Sequence, residues 1–161
     1  MGTSQFSGRT HARIQALQLL FQAEAVGRSV DDVLDGDYVL YDAELEEYIP
    51  FPDEYAVLLA QGVDGMRHEL DRAIARYSHA WSISRMPAVD LNLMRIALYE
   101  MTCVDEVEIP VAIDEAVVLA KAFGSDDTSR FINGLLGRLA SDIEAGVDVL
   151  ADEPASGEGE A

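Results

Sequence analysis

Three scarcities narrow the field. Cysteine occurs once, at Cys103, so no intrachain disulfide and no thiolate metal cluster can form. No apolar run approaches the roughly 20 residues that span a bilayer. The start, MGTSQFSGRTHAR, has no apolar core of a secretory signal. These two absences make a cytoplasmic protein without membrane attachment the expectation. Basic residues are the third scarcity: 11 Lys and Arg against 30 acids leave a formal charge of −19. That balance excludes a nonspecific polyanion binder and allows at most a local basic patch.

Catalytic patterns are missing too. His11, His68 and His79 lie in different segments without ligand spacing. His68-Glu69 begins like a zinc-protease motif, but Arg72 stands where the second histidine is required. No nucleophile elbow, phosphate loop or dinucleotide glycine pattern occurs. The acids Asp35, Asp37, Asp42, Glu44 and Glu46 lack the spacing of a calcium loop and read as a solvated connector. No enzyme, cofactor or metal is expected, and Cys103 reads as a core thiol.

The charge is unevenly distributed. Residues 1–28 hold three Arg against one Glu, and residues 29–66 hold eleven acids and no Lys or Arg. Residues 67–95 hold five Arg against three acids, and the last 21 residues hold seven acids and no base. A nucleic-acid contact is therefore expected at the amino-terminal end or on one arginine-bearing face.

The remaining pattern is helical. No stretch alternates with period two for long enough to predict a strand. After a mobile 1–9, Thr10 to about Val26 predicts a first helix burying Ile14, Leu17, Leu20, Phe21 and Ala25. Gly27 stops it, and Ser29 to Asp32 is a capping-box variant before a short second helix. An acidic connector, about 35–52, follows. The stripe Tyr55, Leu59, Val63, Met66, Leu70, Ile74 and Tyr77 predicts one long helix, with Gly62 and Gly65 allowing close approach of a neighbour. Trp81 is expected on the core in a short turn before Pro87. LNLMRIALYEM, preceded by Asp90, predicts a buried central helix in which Arg95 needs a partner, Glu100 being the candidate.

Residues 95–140 end in a helical hairpin. Pro110 suits a helix start and Gly124 a helix end. The first arm is expected to bury Ile113, Ala116, Val117 and Ala120, the second Ile132, Leu135 and Leu139. Between them the elbow Phe123-Gly-Ser-Asp-Asp-Thr-Ser-Arg-Phe131 carries two aromatics, two acids and a base. Ordinary caps with core aromatics account for it, and so does a protein or RNA contact. Gly146 predicts a stop, and 146–161 an acidic, disordered tail. The expected fold is all-α, about seven helices in two small bundles spanning 10–145.

Three stretches resemble the NusB family of bacterial transcription antitermination factors: RTHARIQALQLLFQAE, VDLNLMRIALYE, and IPVAIDEAVVLAKAFGSDDTSRFINGLLGRLA. Together they cover most of the chain from Arg9 to Ala140, in the family's order. The resemblance implies a binding role without catalysis. It implies pairing with NusE, a basic protein of the small ribosomal subunit, and recognition of boxA RNA in ribosomal RNA leaders. It further implies a place in the RNA polymerase antitermination complex that reads through terminators. By position, Arg9, His11 and Arg13 match the family's RNA-binding start, and Phe123 and Asp127 its RNA-facing elbow. Phe21, Asp90 and Phe131 match positions near the NusE surface. Thr10 and His11 stand where denser arginines are common, so NusE is expected to supply much of the phosphate contact. Single-stranded RNA needs few arginine and aromatic side chains to be read. A homodimer, an acidic interaction protein, and an RNA-binding module of the kind that precedes some ribosomal RNA methyltransferases remain alternatives. No methyltransferase domain is expected here.

Overall fold

The computed structural model describes residues 9–79, 81–125 and 127–152. Among them are seven α-helices: α1 (Arg9–Val26), α2 (Val30–Asp35), α3 (Glu54–Gly65), α4 (Arg67–Tyr77), α5 (Ala88–Cys103), α6 (Ile109–Phe123) and α7 (Thr128–Glu144). The all-α expectation holds with one small exception. Within the acidic connector, β1 (Tyr41–Asp42) and β2 (Glu47–Tyr48) pair antiparallel, Tyr41 opposite Tyr48 and Asp42 opposite Glu47. Two residues per strand are too few for any alternation to show.

The chain divides into two compact units, 1–65 and 66–161. In the first, α1 packs on α2 and α3. Its core is Ala12, Ala16, Leu19, Leu20 and Ala23 of α1 with Leu59, Ala60 and Val63 of α3. Of the expected α1 face, Leu17 and Leu20 are buried, while Ala25 is exposed, Ile14 is half-buried and Phe21 is 47% exposed. Ala12, Ala16 and Ala23, small residues that carry little weight in a hydrophobic pattern, are buried instead. Gly27 ends α1 at φ +67°, in the left-handed region, and Arg28 N donates to Ala23 O at 3.0 Å. Ser29 caps α2, its hydroxyl accepting from Asp32 N at 3.0 Å.

Two glutamines fasten the connector to α1. Gln18 donates to Tyr41 O (2.9 Å) and accepts from Tyr41 N (3.0 Å). Gln22 does the same to Val39, at 2.7 and 2.9 Å. Four residues apart on one helix face, the two amides satisfy an extended backbone as a neighbouring strand would. Gln15 Oε1 accepts from Asp53 N at 2.7 Å, and Leu40 is buried beneath.

The long helix expected over 53–77 is two helices. Gly65 ends α3, and Met66, at φ −112° and ψ 19°, leaves the helical region before α4. A Cβ on Gly65 would meet nothing within 4 Å, so Gly65 marks a break and not a close approach. The apolar stripe continues across the break, which is why periodicity alone reads one helix.

In the second unit α5 packs on α4, α6 and α7, and α6 packs on α7. Every residue from Asp90 to Leu98 is buried, as expected of the central helix. Arg95 is 3% exposed and finds a partner in Asp71 of α4. Nε and Nη2 grip the carboxylate at 2.7 and 2.9 Å, while Nη1 donates to Asn92 Oδ1 at 2.8 Å. This two-pronged fork holds α4 on α5. On α6 the buried residues are Ala112, Ala116, Leu119 and Ala120, with Ile113 and Val117 half-buried. On α7, Ile132, Leu135 and Leu139 are buried as expected.

Three expectations fail in this unit. Trp81 is 38% exposed and lies against Phe131, ring centroids 5.3 Å apart, beside the short 3-10 turn Ile83–Arg85. Cys103, the last residue of α5, is exposed and is no core thiol. The segment 147–152 is held in place: Val149 is buried, Arg72 donates to Leu150 O at 2.8 Å, and Arg76 donates to Asp152 O at 2.8 Å. Gly146, at φ +92°, turns the chain after α7. The rest of the expected tail, 153–161, and residues 1–8 lie outside the described residues.

Candidate RNA and protein interface

The expected RNA residues of the first unit open α1. Arg9 is exposed, and its guanidinium lies 4.2 Å from the centre of the Tyr55 ring, a cation–π contact that orients it. His11 is one-third exposed and faces the connector, with Nδ1 3.8 Å from Asp42 and Nε2 3.3 Å from Glu44. Arg13 differs from both. At 4% exposed it lies in the core, so its guanidinium is not presented to solvent. Among the described residues, His11, Asp42 and Glu44 bring ligand atoms within 4.8 Å of one another and could share a cation. Asp42 is already engaged in shaping the hairpin turn, where its Oδ1 accepts from Glu44 N at 2.9 Å and Leu45 N at 3.1 Å. Phe21 lies farther along α1, about 18 Å from Arg9 by helical rise, with half its surface in solvent.

The elbow of the second unit is built on Asp90. Its Oδ1 accepts from the Thr128 hydroxyl at 3.0 Å, and that hydroxyl also donates to Ser125 O at 2.8 Å. Asp90 is 1% exposed, and its Oδ2 has no hydrogen-bond partner among the described residues. Burial raises the carboxyl above its usual range, and the bonds from Thr128 and Ser125 pull it partly back. Gly124 is required by space and not by backbone angle. Its φ is −93°, while a Cβ there would sit 2.1 Å from Asp90 Oδ1. Pro110 is at the start of α6 as expected. Asp127 precedes α7 without capping it through its side chain and is exposed. Phe123 is 39% exposed, and Phe131 is half-buried against Trp81.

Three of the five arginines of 67–95 are engaged within the fold. Arg95 holds Asp71, and Arg72 and Arg76 hold the segment after α7, Arg72 adding a 2.8 Å ion pair to Asp152. Nearby, Tyr77 donates to Asp142, and burial followed by that bond pushes its pKa up to about 12.

Of the eight residues singled out from sequence, Arg9, His11, Phe21, Phe123, Asp127 and the half-buried Phe131 reach the surface. Arg13 and Asp90 do not, and Asp90 instead positions the elbow. Sequence reasoning missed the Asp90–Thr128–Gly124 latch, whose members are up to 38 residues apart. It also missed Gln15, Gln18 and Gln22, although three glutamines at helical spacing on one helix were a readable signal.

The family model described as the NusB family matches residues 10–141. The transcription antitermination protein NusB of Salinispora tropica is 46% identical over 132 residues, covering 82% of this chain and 94% of that protein. The solved structure of T. maritima NusB superposes with a TM-score of 0.68 at 30% identity, covering 84% of this chain and 92% of that one. A structure of the antitermination factors NusB and NusE in complex with double-stranded RNA shares the fold, with a TM-score of 0.64 at 21% identity over 83% and 96% of the two chains. The chain described here belongs to the NusB family.

Proposed function

We propose that this chain is a transcription antitermination factor. It pairs with NusE, binds boxA RNA in ribosomal RNA leaders, and in that complex helps RNA polymerase read through terminators. The observation that carries the reading is the family match over 10–141, with a relative at 46% identity that bears the antitermination name. A structure of the same fold holds NusB with NusE and RNA. No described helix is long and apolar enough to cross a membrane, which suits work on a transcript in the cytoplasm. The role is binding, with no bond made or broken.

The residues divide by what they expose. Arg9 and His11 meet RNA from the start of α1, and Phe123 and Asp127 from the elbow. Phe21 and Phe131 offer apolar surface to NusE. Arg13 and Asp90, both buried, support these surfaces from beneath. The background charge of −19 makes RNA affinity of the chain alone weak and steeply salt-dependent. Replacing Arg9 and His11 together with alanine tests the assignment. RNA affinity should fall while helical circular dichroism is unchanged, and unaltered affinity would remove these residues from the interface.

A further inference from the structure

We propose that the connector arm, residues 37–53, is a docking surface for a basic protein. Five apolar side chains in it stand in solvent: Val39, Tyr41, Leu45, Tyr48 and Phe51, the last three at 62%, 71% and 77% exposure. Tyr41 and Tyr48 meet edge to face with ring centroids 5.1 Å apart, so the hairpin presents an ordered aromatic pair. Apolar side chains gathered on one exposed arm mark contact surfaces, and tyrosine is among the residues that dominate binding energy.

The arm is pinned. Gln18 and Gln22 hold Tyr41 and Val39 through paired backbone bonds, and Gln15 holds Asp53. Ile49 N donates to Leu40 O at 2.8 Å, and Tyr38 OH donates to Pro50 O at 3.2 Å. Little ordering remains to be done when a partner arrives, which favours affinity.

Charge selects the partner. Residues 37–53 carry six acids and no Lys or Arg. RNA and anionic lipid are repelled from such an arm, and two copies meeting arm to arm would set acid against acid. A protein segment with an apolar centre and a Lys/Arg rim is attracted. The inference rests on the proposed function in one respect: the basic protein that docks here is the NusE of that complex.

The test is Tyr48→Ala with Phe51→Ala, both exposed and outside the core. Binding to purified NusE is measured by calorimetry, with circular dichroism as the fold control. We expect NusE affinity to fall about tenfold or more, as loss of aromatic anchors does, with RNA affinity of the chain alone unchanged. Glu46→Gln with Glu47→Gln should slow association and flatten its salt dependence. Equal NusE binding by Y48A/F51A overturns the arm as a docking surface and leaves the antitermination reading standing. No NusE binding by the unaltered chain overturns both. Loss of RNA binding in Y48A/F51A, or self-association by light scattering that the variant abolishes, would show RNA or a second copy on the arm and overturn the proposal.

Discussion

Gly124→Ala is the sharpest single perturbation of the elbow. The new Cβ would lie 2.1 Å from Asp90 Oδ1 and 2.9 Å from Ala120 O. Neither neighbour yields easily. Ala120 O is helix backbone accepting from Gly124 N at 2.8 Å, and Asp90 is 1% exposed within α5. The backbone at 124, φ −93°, suits alanine, so the whole effect is steric. Forcing a methyl into a filled core costs about 1–3 kcal/mol. Displacing Asp90 from the Thr128 hydroxyl removes a hydrogen bond to an ionisable group, worth about 1.5–3 kcal/mol. A loss near 3 kcal/mol in a chain of 161 residues lowers the melting temperature by about 6–12 °C. Thermal unfolding followed by far-ultraviolet circular dichroism reads this directly. In an Asp90→Ala background the clash has no partner, so the same Gly124→Ala change should cost less, and the cycle gives the coupling. A G124A melting temperature within about 2 °C of the parent, less than 1 kcal/mol, would refute the latch.

Other consequences follow from the same geometry. Arg95→Ala should cost about 2–4 kcal/mol in urea unfolding, because it removes the two-pronged donor from the Asp71 carboxylate; a loss below about half a kcal/mol would make the fork incidental. Burial holds the Asp90 carboxyl above its usual range, so the folded state favours the protonated form. The resulting stability is full below the ordinary aspartate pKa, about 3.9, and is lost as pH rises through the higher folded value. The stability of the parent relative to Asp90→Asn should therefore decline over that rise, and a difference independent of pH would contradict it. Asp42→Asn with Glu44→Gln frees His11 from two carboxylates at 3.8 and 3.3 Å and should raise RNA affinity more than Glu46→Gln with Glu47→Gln, which removes equal charge. Equal gains in fluorescence anisotropy would mean that net charge alone acts.

Features that depend on neighbours in sequence are legible in it. Gly27 and Ser29 mark the α1–α2 junction by cap chemistry, Pro110 opens α6, and the dense apolar run after Asp90 identifies the central helix. Features that depend on distant partners are not. Arg95 takes Asp71, 24 residues back. Arg76 orders Ala151 and Asp152 from more than 70 residues away, making a fixed segment of what composition reads as tail. Gly124 does end a helix, but the requirement is room for the Asp90 carboxylate and not a left-handed turn. At the candidate interface the residue types of Arg9, His11 and Phe21 are legible, while the burial of Arg13 and Asp90 is not. Periodicity does not say which side of an alanine-lined helix faces inward.

If this acidic helical chain recognises a transcript together with a basic ribosomal partner, binding must show it. The decisive measurement is the affinity for a boxA-containing RNA with and without NusE, titrated across salt. We expect weak, steeply salt-sensitive binding by the chain alone and much tighter binding by the pair, lost when the boxA sequence is scrambled. Equal affinity for scrambled RNA, or no gain on adding NusE at low salt, would contradict that recognition.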